Sequence, residues 1–161
     1  MPVIEVTKDV EAHSITIIAE FSASVERLWE LYADPRQLEK VFGPPTYPAT
    51  FVEHELTEGG SSKYYMTSPE GEKYCGLWRI TSVNRPNQFT FQDYFANENF
   101  EPAEGLPASE CSYSFESNDQ NVRATYVSVF ASAEALQEVL DMGMEEGSVS
   151  SINQIDAFLV S

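Results

Sequence analysis

The sequence predicts an α+β domain: a curved antiparallel sheet of about seven strands wrapped around a long C-terminal helix, with two short helices after the first strand. Three observations carry this. Residues 47–130 are strand-like runs separated by strong turn signals. Residues 133–160 hold apolar side chains at helical spacing. Between the first strand and the rest stand two short segments, each with its own cap.

The first strand is HSITIIAEF, residues 13–21, in which Ile15, Ile17, Ala19 and Phe21 alternate with their neighbours. Residues 1–12 are expected to be a loosely ordered segment of a single domain spanning 1–161. Ser24 can cap VERLWELY, where Val25, Leu28, Trp29 and Tyr32 share one face. DPRQLEKVFGPP, residues 34–45, follows as a bracket of about two helical turns. Asp34 is its N-cap, Pro35 its first residue, and Gly43 in a left-handed conformation its end, with prolines blocking continuation. Leu38, Val41 and Phe42 share its apolar face, which predicts a lid over the open side of the sheet.

EGG (58–60), SPEG (68–71), NRPN (84–87) and ESNDQN (116–121) are turn signals between strands, so the sheet reads as a meander of hairpins. NENFEPAEGLPASE (97–110) has no periodic signal and reads as a long acidic loop, lid or disordered. Ser132 caps the final segment, where Leu136, Leu140, Met144, Ile152, Ile155 and Leu159 form the stripe that the sheet must cover.

Composition narrows the function. The 161 residues include 26 acidic and 9 basic ones, a net charge of −17, and Arg123 is the only cation after Arg85. Such a chain is unsuited to nucleic acid or anionic membrane, which need clustered cations. The charge serves solubility, with contact to a basic protein partner as the alternative. No run of apolar residues is long enough for a membrane span, and no basic stretch followed by an apolar block opens the chain, so a cytoplasmic location is expected. Cys75 and Cys111 are then free thiols. Two isolated histidines, His13 and His54, predict no metal site. The EGG turn precedes no helix, so no phosphate cradle and no cofactor are expected.

ADPRQLEKVFGPP, then GGSSKYYMTSPEGEKYCGLWRI with Arg85-Pro86 and QFTF, then FASAEALQEVLDMGMEEG resemble the homologues of the activator of heat-shock protein 90 ATPase in their stand-alone bacterial form. That family lies in the START-like, birch-pollen-allergen-like (SRPBCC) superfamily of helix-grip folds. The resemblance implies a hydrophobic cavity between sheet and last helix. This chain has Val41-Phe42 where the family usually carries a tryptophan before Gly-Pro, Gly143-Met144 in place of Gly-Trp, and Gln120-Asn121-Val122 in place of Gly-Gly-Thr.

Candidate walls are Trp29 and Phe42 from the short helices, then Tyr64, Met66, Trp78, Phe89, Phe91 and Phe95 from the strands. The last helix adds Met144, Gly147 and Ile152. The alternative is that these side chains simply fill the core. Gly143, Gly147 and Ser151 make a strip of small residues that leaves room for a ligand, or marks a close backbone approach or a kink at GMEEG. His54 and Asp93 fall on the apolar faces of their strands, His54 with Val52 and Leu56, and together could serve as an acid–base pair in the cavity. The expected function is a binding module for an apolar or amphipathic small molecule. A protein-interaction or stress-response module is the first alternative, and an enzyme using His54 and Asp93 the second.

Overall fold

A computed structural model describes residues 2–159. Eight antiparallel strands form one sheet: β1 (Val3–Asp9), β2 (Ser14–Phe21), β3 (Ala49–His54), β4 (Ser61–Thr67), β5 (Lys73–Asn84), β6 (Gln88–Ala96), β7 (Ser109–Asn118) and β8 (Asn121–Phe130). Their order is β1-β2-β8-β7-β6-β5-β4-β3, so β3 to β8 are a meander and the chain joins β8 to β2 to complete the sheet. Each predicted turn separates two strands. The helices are α1 (Val25–Ala33), α2 (Pro35–Leu38), α3 (Ala133–Asp141), α4 (Met144–Asn153) and α5 (Ile155–Leu159). This is the helix-grip arrangement, with one strand more than expected.

The extra strand is β1, which corrects the expectation that residues 1–12 are loosely ordered. Its register shifts between Val3 and Glu5, which breaks the period of two and hides the strand from pattern reading. Tertiary contacts pin it: Val3 N–H donates to Asn153 Oδ1 at 3.0 Å, and Lys8 pairs with Glu145 at 2.7 Å. The 97–110 loop is also ordered locally. Asn97 Oδ1 accepts from the backbones of Asn99 (2.9 Å) and Glu101 (3.1 Å), and Ala96 bridges to Pro102.

The predicted caps are present. Ser24 Oγ accepts from Arg27 N, Asp34 Oδ1 from Arg36 N, and Ser132 Oγ from Ala135 N. The bracket differs in two respects. Its helix is one turn, four residues long, and Gly43 does not take the left-handed conformation. Glycine is needed there for space, because a Cβ would overlap the Tyr47 carbonyl. The bracket is instead tied at both ends. Arg36 Nη2 donates to Phe51 O at 2.7 Å, Glu39 Oε2 accepts from Phe51 N at 3.0 Å, and Gln154 Nε2 donates to Gly43 O at 2.7 Å. These bonds fix Leu38, Val41 and Phe42 between β3 and α4.

Phe42 is half-buried and meets Phe51, Tyr64 and Trp78 edge-on, with centroids 5.0–5.5 Å apart. Phe42→Ala is expected to cost about 2 kcal/mol in urea unfolding, below the loss for a fully buried phenylalanine. A loss under about 0.5 kcal/mol contradicts this placement.

The long C-terminal helix is three helices. Gly143, at φ 90°, ends α3 in the left-handed region and opens α4. The GMEEG break is thus a real interruption in the element facing the sheet.

Candidate functional site

A cavity of about 320 Å³ lies between the concave face of the sheet and the broken C-terminal helix. The bracket contributes Leu38, Val41, Phe42 and Pro44; the first strands give Tyr64, Met66, Ile15 and Ile17. From α4 and the break before it come Met142, Gly143, Met144, Gly147, Ser151 and Ile152. Phe95 and Met142 are exposed and stand at the rim. A smaller cavity of about 170 Å³ shares Tyr64, Met66, Asp93, Phe95, Ser128 and Met144 as walls, so Asp93 faces both.

Of the predicted wall residues, Phe42, Tyr64, Met66, Asp93, Phe95, Met144, Gly147 and Ile152 line the larger cavity. Trp29, Trp78 and Phe91 do not, and Phe89, on the same face, is likewise sealed. Trp29 packs edge-on against Phe89 and Phe115 beneath α1, 3% exposed. Trp78 and Phe91 stack at 4.1 Å on the floor of the sheet, both fully buried, with aromatic neighbours closing them off. These three are core, because neighbouring side chains cover the large rings at the centre of the sheet and leave no opening above them.

His54 is also outside the cavity. The register of β3 shifts between Phe51 and Glu53, so Val52 turns out to solvent while Phe51 and His54 both turn inward. His54 does not share its side with Val52 as simple alternation suggested. Its Nε2 lies 2.7 Å from the Tyr32 carbonyl and its Nδ1 2.6 Å from Ser62 Oγ. A carbonyl only accepts, so Nε2 carries the proton and Nδ1 accepts from the Ser62 hydroxyl. Burial lowers the His54 pKa, partly offset by the Tyr32 carbonyl and the Asp34 charge. The ring is a neutral brace between the end of α1 and β4, and it makes no contact with Asp93. The acid–base pair expected from the sequence is therefore not assembled.

Asp93 sits on the concave face of β6, opposite Trp78 on β5 and Ser109 on β7. It is half-buried, with its accessible part toward the cavities, and no described residue hydrogen-bonds to its carboxyl. Burial pushes this carboxyl up to about 7. Tyr64, from β4, reaches over Gly76, where a Cβ would overlap its ring. Burial, then the Asp93 charge, raises the Tyr64 phenol. Trp78 Nε1 points toward that phenol but lacks a hydrogen bond of good geometry.

Sequence reasoning missed three tyrosines. Tyr32 and Tyr126 share a hydroxyl hydrogen bond of 2.8 Å in the wall, and Tyr113 packs edge-on to Tyr126 with centroids 4.7 Å apart. Burial raises all three phenols. The signal was present in the alternation Cys111-Tyr113-Phe115 and Ala124-Tyr126-Ser128, which marks the concave faces of β7 and β8. Among the described residues, no group of side chains has the composition of a metal site, and no helix is long and apolar enough to cross a membrane.

A family model described as "Activator of Hsp90 ATPase homolog 1-like protein" matches residues 22–160. The crystal structure of protein Ms6760 from Mycobacterium smegmatis is 56% identical, with a TM-score of 0.92 over 98% of this chain and 97% of that one. A solution structure from Arthrobacter aurescens is 46% identical, with a TM-score of 0.94 over 98% and 92%. One from Staphylococcus epidermidis is 26% identical, with a TM-score of 0.84 over 97% and 93%. No protein of curated function matches the chain.

Proposed function

We propose, for a chain that belongs to the Activator of Hsp90 ATPase homolog 1-like family, that the cavity between sheet and broken helix binds a compact apolar or amphipathic small molecule. Membership of the family is compatible with a ligand-binding or an activator-related module, and the cavity favours the first. The supporting observation is the void itself: about 320 Å³ walled by aromatic, methionine and aliphatic side chains with few polar groups. Close-packed interiors rarely keep empty volume larger than a water molecule, and such volume lowers stability. The helix over the void carries Gly143, Gly147, Ser148 and Ser151, where larger residues would have filled it.

Gly147 offers the cleanest test. A Cβ there meets nothing closer than Pro44 Cγ at 3.8 Å, so a longer side chain can enter the void. Gly147→Leu is expected to leave the fold intact, with stability unchanged or raised by up to about 1 kcal/mol from helix propensity. It should also abolish ligand uptake, read by native mass spectrometry and denaturing extraction of both proteins. Equal loads of the same compound on wild type and variant would overturn the reading.

A further inference from the structure

We infer that the cavity selects a ligand with a two-ring apolar body and an amine, held as an ammonium ion against the Asp93 carboxylate. This rests on the cavity being a binding site and names what it binds. The volume, about 320 Å³, is roughly twice the ~150 Å³ of an apolar cavity known to hold benzene, which suits two rings.

The polar end follows from three observations. First, Asp93 lies on the cavity wall without a hydrogen-bond partner among the described residues. A carboxylate in apolar surroundings needs a counter-charge, and the protein supplies none. Second, no lysine, arginine or histidine lines either cavity among the described residues. Third, the chain carries a net charge of −17, so the field favours entry of a cation and opposes a carboxylate or phosphate. The aromatic rims add to this: Tyr64, Phe95 and Tyr113 present ring surface in the same cavity, where a desolvated ammonium is stabilised further. A fatty acid, by contrast, would bring a second negative charge beside Asp93.

Other groups around Asp93 do not compete for the proton near neutral pH. Tyr64 faces it from β4, and Cys111 and Tyr113 from β7; burial raises both phenols well above their usual range and pushes the thiol up to about 12. Tyr32 of α1 and Tyr126 of β8, across the larger cavity, are raised in the same way. Burial also raises Cys75 of β5, and the Glu72 charge raises Tyr74, the β5 phenol of the smaller cavity. What α4 presents there, Ser148 and Ser151, does not titrate.

The test is calorimetric titration with three probes of one shape: naphthylmethylamine, naphthylmethanol and naphthoate. At about pH 8 the amine is expected to bind about tenfold or more tighter than the alcohol, and naphthoate weakest. In Asp93→Asn the amine loses about thirtyfold while the alcohol changes less than about threefold. Near pH 6 the amine binds wild type about tenfold more weakly and releases close to one proton from Asp93, whereas the alcohol releases none. Naphthoate binding best, or amine and alcohol binding equally, overturns the amine inference and leaves the cavity reading standing. If none of the three binds, both fall.

Discussion

Asp93→Asn should make the protein more stable at pH 8, by about 2 to 4 kcal/mol, and have little effect below pH 4. The sign follows from the direction of the shift. The Asp93 carboxyl is raised from 3.8 to about 7 by burial, so the unfolded chain gives up its proton first. Stability is therefore complete below the unfolded value and is lost as pH rises through the window from 3.8 to about 7. A shift of that size corresponds to about 4 kcal/mol, and water in the cavities lowers the figure toward 2. An amide of the same shape removes the charge and with it the loss. Most substitutions of a half-buried residue destabilise, so a gain here is a distinctive result. Urea unfolding across pH 4 to 8 reads it directly. A loss of stability in the variant at pH 8 means that Asp93 has a counter-charge after all. A carboxylate that weakens its own fold points to a use in binding, the usual trade of stability for activity.

His54→Ala should have the opposite effect, a loss of about 3 to 4 kcal/mol at pH 8. The substitution orphans two groups at once, the Tyr32 carbonyl at the end of α1 and the hydroxyl of Ser62, which is fully buried. It also removes a ring packed against Phe51 and Trp78. The folded-state pKa of His54 lies below the unfolded 6.5. Its contribution is thus complete above 6.5 and declines as the pH falls toward the folded value. The penalty of the variant should accordingly be smaller at pH 5 than at pH 8. A penalty below about 1 kcal/mol, or one equal at both values, would contradict the brace. Ligand binding, in contrast, should persist in whatever fraction of this variant is folded.

These two residues show where the sequence was legible and where it was not. Turns, caps and the apolar alternation of β2 and β4 to β8 are local signals, and they led to the right layers. Pairing of His54 with Asp93 failed although His54 does face inward, because β4 and β5 stand between β3 and β6 and both ring nitrogens are taken by Tyr32 and Ser62, and strand order leaves no mark in the alternation of residue types. β1 was missed for a similar reason, since its order comes from Asn153 and Glu145, about 140 residues away. The break at Gly143 was legible as a choice between a kink and ligand room, and the structure has the kink with Gly143 and Gly147 on the cavity wall. The aromatic walls were half legible. Pattern identifies which rings face inward, but which of them border a void and which lie beneath it depends on curvature and on the lid. Trp78 and Phe91 share a face with Phe95, and the difference between sealed and accessible is set by their place across the strand.

Three of the four methionines, Met66, Met142 and Met144, line the larger cavity, which supplies built-in reporters. The most direct test is therefore an NMR titration of methyl-labelled methionine protein with naphthylmethylamine at about pH 8, run beside Gly147→Leu. Saturable shifts of these three methyl resonances are expected in the wild type and none in the variant. Resonances that stay fixed in the wild type, or that move equally in both proteins, would contradict a ligand-binding cavity beneath the broken helix.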